Sequence, residues 1–117
     1  MATKKIKDGL LVEYLTNGEV ESEENYKNGK LHGKSIYWHE NGQKHAEIFF
    51  NNGKEDGELI SWHENGEKSS ESTYKNGKQD GEHISWHENG QKKSAGLFKN
   101  GKEVGEWKWW HENGQKK

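Results

Sequence analysis

Asn-Gly occurs at positions 17, 28, 41, 52, 65, 76, 89, 100 and 113, at intervals that alternate between 11 and 13 residues. No other feature of the chain constrains its fold as strongly. Asn-Gly between alternating apolar runs is the strongest short-range hairpin signal, because both residues accept the positive φ that a tight reversal needs. Two successive intervals make a period of 24 residues. The string Trp62-His63-Glu64-Asn65-Gly66-Glu67-Lys68 recurs at that period as Trp38 to Lys44, Trp86 to Lys92 and Trp110 to Lys116. A fixed period of this kind marks a repeat protein. The turns leave runs of about seven residues, an ordinary strand length.

The repeats divide the chain as 7–30, 31–54, 55–78, 79–102 and a half-repeat 103–117. In the first copy Tyr14 stands where the others have Trp, and Leu10, Leu11, Val12 and Leu15 make it the most aliphatic. Atypical terminal repeats commonly act as caps. The 15 glycines leave no long window for a helix. The expected fold is therefore all-β. It is a single twisted antiparallel β-meander of about nine strands, built from about 4.5 hairpin repeats. Composition alone would argue otherwise. Hydrophobic residues are only 26% and mean hydropathy is −1.42, values typical of disorder. The net charge is only −2, however, and the apolar residues include six Trp, four Tyr and three Phe. Large periodic rings bury enough area to form a thin packed layer.

Register can be argued from parity. The large apolar residues fall mostly on even numbers: Ile36, Trp38, Ile48, Phe50, Ile60, Trp62, Tyr74, Ile84, Trp86, Phe98 and Trp110. Side chains alternate faces along a strand, and paired residues share a face. A three-residue loop Glu40-Asn41-Gly42 pairs even with even, which predicts Gly42, Gly66 and Gly90 at positive φ. The same parity is expected across the wider turns, read as three-residue loops such as Lys75-Asn76-Gly77, so that every Trp, Ile, Phe and Tyr of the series shares one face. A second glycine series at 9, 33, 57, 81 and 105 falls just after the wider turns.

The segments Tyr74-Lys75-Asn76-Gly77-Lys78-Gln79-Asp80-Gly81 and Trp86-His87-Glu88-Asn89-Gly90-Gln91-Lys92 resemble the variant MORN repeat. The form is similar to that of bacterial proteins in the YwqK-type antitoxin family. The resemblance covers residues 8–117 and implies one β-hairpin per repeat, with a role in binding or scaffolding.

Several chemistries fit the residues poorly. His39, His63, His87 and His111 recur once per repeat. Equivalent residues in neighbouring repeats lie two strands apart, about 9.6 Å, too far to share a zinc ion. No metal site is expected, and the absence of Cys removes thiolate ligands and disulfides. Glu40, Glu64, Glu88 and Glu112 occupy identical settings, whereas a catalytic pair needs two different ones. No nucleophile elbow or phosphate loop appears, so the chain is read as no enzyme and as needing no cofactor. Nucleic acid is not expected either, because all 18 basic residues are Lys and the balance is slightly acidic. No apolar run could span a membrane as a helix. The Lys-rich start, Lys4, Lys5 and Lys7, has no apolar stretch behind it. That predicts no secretory leader and a cytoplasmic location.

Function is sought on the odd-numbered face, among Tyr37, Phe49, Leu59, Leu97, Trp107 and Trp109, interspersed with Ser35, Ser61, Ser85 and Glu71. Either these are scattered surface apolar groups or they form a protein-binding strip. The partner-binding set is Tyr37, Phe49, Leu59, Trp107 and Trp109. The expected role is a non-catalytic scaffold for protein–protein contact. The rivals are an antitoxin or immunity protein that neutralises one toxin, and a weak lipid-surface binder using Lys27, Lys30, Lys75, Lys78, Lys99 and Lys102. The strand Glu106-Trp107-Lys108-Trp109-Trp110-His111 is aromatic on both faces, and a sheet edge there would invite self-association.

Overall fold

The computed structural model describes residues 8–117; the Lys-rich start lies outside them. Its strands are β1 (Gly9–Tyr14), β2 (Val20–Lys27), β3 (Lys30–Leu31), β4 (Gly33–Trp38), β5 (Lys44–Asn51) and β6 (Lys54–Trp62). They continue as β7 (Lys68–Lys75), β8 (Lys78–Gln79), β9 (Gly81–Trp86), β10 (Lys92–Lys99) and β11 (Lys102–Trp109). All join one open antiparallel sheet in the order β1-β2-β4-β5-β6-β7-β9-β10-β11. The short β3 and β8 pair with β2 and β7 and are the first steps of the strands that β4 and β9 continue. The meander of nine strand positions is thus present, and the described residues contain no helix.

The two turn types divide the labour within each repeat. At Glu40-Asn41-Gly42 the His39 N–H donates to Gln43 O at 2.7 Å and the Gly42 N–H to His39 O at 3.0 Å. Gly42, Gly66 and Gly90 have φ of 86°, 90° and 87°, as a three-residue loop with a glycine bulge requires. Asn41 Oδ1 accepts the Gln43 N–H at 3.0 Å and locks the turn. The wider turns differ from expectation. Lys75 pairs directly with Lys78, so the loop is only Asn76-Gly77, with φ of 51° and 82°. Both residues at positive φ define a type I′ turn, whose twist matches the flanking strands.

The prediction that all the large apolar residues share one face is therefore overturned. Two-residue loops pair even with odd. A one-residue bulge near each Trp then resets the other hairpins: Tyr37 pairs with Ala46 but Trp38 pairs with Lys44, leaving His45 extra. Ser69 and Lys93 occupy the same bulge in later repeats. A single inserted residue reverses every face beyond it. Ile36, Ile60 and Ile84 oppose Glu47, Glu71 and Ala95, on the face of Trp38, Trp62 and Trp86. Ile48, Phe50, Tyr74 and Phe98 lie on the opposite face, across from Ser35, Gly33, Gly57 and Gly81.

Hydrogen bonds between successive turns run along both rims of the sheet. His39, His63 and His87 each donate Nε2–H to the carbonyl of Trp62, Trp86 and Trp110, at 2.9 Å. A carbonyl only accepts, so these rings carry hydrogen on Nε2. Asn41, Asn65 and Asn89 donate Nδ2–H to the carbonyls of Glu64, Glu88 and Glu112. On the other rim the N–H groups of Gly53, Gly77 and Gly101 donate to Leu31, Glu55 and Gln79, all at 2.8 Å. The recurrent His and Asn thus join each repeat to the next.

Candidate functional site

No apolar side chain among the described residues is fully buried; the buried residues are Ser22, Ser35, Ser72 and Ser94. The sheet is a single layer with two surfaces, and among the described residues nothing is stacked on either. The two faces are chemically unlike, and function has to be sought by comparing them.

One face, here the serine face, is built around a lane of small side chains. Ala46 opposes Ser61, Ser61 opposes Ser70, Ser70 opposes Ser85, and Ser85 opposes Ser94. Tyr37, opposite Ala46, closes one end and Trp109, opposite Ser94, closes the other. The hydroxyls satisfy one another: Ser61 Oγ lies 2.6 Å from Ser70 Oγ, and Ser85 Oγ 2.5 Å from Ser94 Oγ. Tyr37 donates its hydroxyl to Glu24 Oε2 at 2.7 Å. Burial, then the acceptor bond to Glu24, pushes the Tyr37 phenol well above its ordinary value. Ser35 Oγ, on a residue of 0% exposure, and Trp107 Nε1 are buried without a hydrogen-bond partner.

At the β10–β11 end the rings converge. Trp107 and Phe98 meet edge to face with centroids 5.1 Å apart, and Trp107 stacks against Trp109 at 6.2 Å. His83 joins them at 5.8 Å from Trp107, and its Nδ1 is hydrogen-bonded to Ser72 Oγ. Burial lowers the His83 pKa, against an opposing pull from Glu103. Glycine at 96 makes the packing possible, since any Cβ there would fall inside the Trp107 indole.

The other face, the lysine face, carries a ladder at the rim of the Trp turns. Lys44, Lys68 and Lys92 place Nζ over Trp62, Trp86 and Trp110 at 5.8, 5.9 and 6.0 Å. Lys44 also donates to Glu47 at 2.5 Å, and Lys68 is paired with Glu71. These lysines occupy a face of each indole, so the Trp row is a packing device rather than an open platform. The Lys44 bond is the main cause that lowers the Glu47 pKa.

Of the residues singled out in the sequence, Tyr37, Leu59, Trp107 and Trp109 share the serine face. Phe49 does not join them: it opposes Lys34 on the lysine face, with Lys34 Nζ 5.9 Å above its ring. Leu97 and Glu71 are on that face too. Sequence reasoning missed Phe50, Tyr74, Phe98, His83 and Glu24 as companions of Tyr37 and Trp107, because the bulges had no recognised signature. The sheet's outermost strands are β1 and β11. At its Trp end β11 is flanked by the last hairpin, where Lys117 N–H donates to Trp109 O at 2.8 Å.

His39, His63 and His87 are committed to backbone carbonyls, and no cluster of three metal-ligating side chains occurs among the described residues. The family model described as the MORN repeat variant matches residues 7–28, 31–52, 55–76, 79–100 and 103–117. No curated protein matches the chain.

Proposed function

Because the chain belongs to the MORN repeat variant family, we propose that it is a non-catalytic scaffold that binds another protein through its serine face. The observation that carries this reading is the uncovered ring cluster. Phe98, Trp107 and Trp109 pack on one another on a sheet with no second layer among the described residues, and Trp109 keeps 45% of its surface exposed. Aromatic residues in such settings are the usual anchors of protein interfaces. The test is capture of partners from the native host by the parent and by Trp109→Ser, chosen because Trp109 is the exposed member of the cluster. Specific partners should be lost with the variant. Equal capture by both would refute the role of this face. A toxin is one class of partner, and rescue of growth on co-expression would single it out.

A lipid-surface role has one observation in its favour. Lys27 faces Lys30, Lys75 faces Lys78, and Lys99 faces Lys102 across the type I′ turns. Like charges directly opposite one another destabilise a sheet, so three such pairs on one rim call for an anionic counterpart. Flotation with anionic and neutral vesicles separates this role from the protein-binding one.

A further inference from the structure

The two faces differ in charge as much as in side-chain size. Every lysine at a registered strand position lies on the lysine face: Lys34, Lys44, Lys68, Lys92 and Lys108, and those flanking the wide turns. The serine face has none at such positions. Its carboxylates are Glu13, Glu24, Glu55 and Glu103, and burial disfavours a charge on its His83. An ordinary solvated surface mixes both signs. Carboxylates set among ring faces, with no lysine to neutralise them, attract cations by charge and by ring quadrupole together.

The carboxylates are also spread along the face rather than clustered. Glu24 is on β2, Glu55 on β6 and Glu103 on β11. At ~4.8 Å per strand step, they stand about 14 and 19 Å apart across the sheet. The lane between Tyr37 and Trp109 runs parallel to them, one alternate-residue step from Glu24 and two steps, about 13 Å, from Glu55 and Glu103. One alternate-residue step wide, it measures about 7 Å along the strands, which admits an extended chain but not a helix of ~10 Å diameter.

We propose that the serine face binds an extended segment of another protein that carries lysine or arginine side chains. The segment lies across the strands, with cationic groups at Glu24, Glu55 and Glu103 and its backbone over the serine lane. About ten extended residues cover the distance from Glu24 to Glu103. This rests on the reading of the serine face as the interaction surface, and it specifies the chemistry of what docks there.

The test is fluorescence anisotropy with a labelled decapeptide of alternating arginine and threonine. Decapeptides with glutamate or serine in place of arginine serve as comparators. The arginine peptide should bind and the glutamate peptide should not. The triple variant Glu24→Gln, Glu55→Gln, Glu103→Gln should bind the arginine peptide about tenfold more weakly, since each exposed pair contributes modestly. The triple variant Glu58→Gln, Glu71→Gln, Glu82→Gln, on the lysine face, should bind it as the parent does. Equal weakening in the two variants, no arginine binding at all, or equal binding of the arginine and serine peptides would overturn the proposal. If the arginine and serine peptides bind alike and Trp109→Ser weakens both, the interaction face stands and only its cationic partner falls. If Trp109→Ser changes neither peptide binding nor partner capture, the face itself is wrong.

Discussion

The histidines of the Trp turns offer a controlled test of what joins one repeat to the next. His63 and His87 donate to Trp86 O and Trp110 O at 2.9 Å. His111 sits in the same turn, with its backbone bonded to Gln115 O at 2.8 Å, but its ring has no hydrogen-bond partner among the described residues. Replacing His63 by Ala removes one side chain–backbone bond and leaves a carbonyl in a partly covered rim. The expected loss is about 1 kcal/mol, or about 4 °C in Tm for a domain of this size. His87→Ala should cost the same, and the two together about twice as much, because the bonds lie roughly 9.6 Å apart and share no partner. His111→Ala should fall within about 0.5 kcal/mol of the parent. Urea and thermal denaturation of the parent and the four variants would measure this. If His111→Ala costs as much as His63→Ala, the ring stabilises its own hairpin and the account of inter-repeat bonding is wrong.

Gly96→Ala should destabilise by about 1–3 kcal/mol, although its backbone is not in the left-handed region, because the new methyl would displace the Trp107 indole; a shift in Trp emission should accompany the loss, and an unchanged spectrum would contradict the packing. Gly66→Val, at φ 90°, should cost about 1–3 kcal/mol from backbone strain, read as a lowered urea midpoint. Stability should also fall as pH drops below about 6.5. The folded pKa of His83 is depressed, so the unfolded chain takes up its proton first and is favoured as the solution acidifies. His83→Gln should flatten that part of the Tm–pH profile. Glu47, also depressed, contributes stability present above about pH 4.3 that is lost as pH falls through its folded value. Glu47→Gln should remove this acid-side loss.

The sequence by itself determined where the chain turns and therefore the topology. Asn-Gly at alternating 11 and 13 residues admits few structures other than a meander, because Asn and Gly tolerate positive φ where other residues resist it. The glycine bulge at Gly42, Gly66 and Gly90 was legible for the same reason. Which face each ring would occupy was not. That depended on two irregularities: the type I′ loop at Asn76-Gly77 and the extra residue at His45, Ser69 or Lys93. The bulged residues share no side-chain type, so nothing in their identity announces an inserted position. Only the assembled sheet, in which each strand must keep its ladder with two neighbours at once, fixes where the extra residue goes. That placement set Tyr37, Phe98, Trp107 and Trp109 together and moved Phe49 to the other surface. It also sorted the registered lysines from the serine lane, a separation that appears only once the strands are paired.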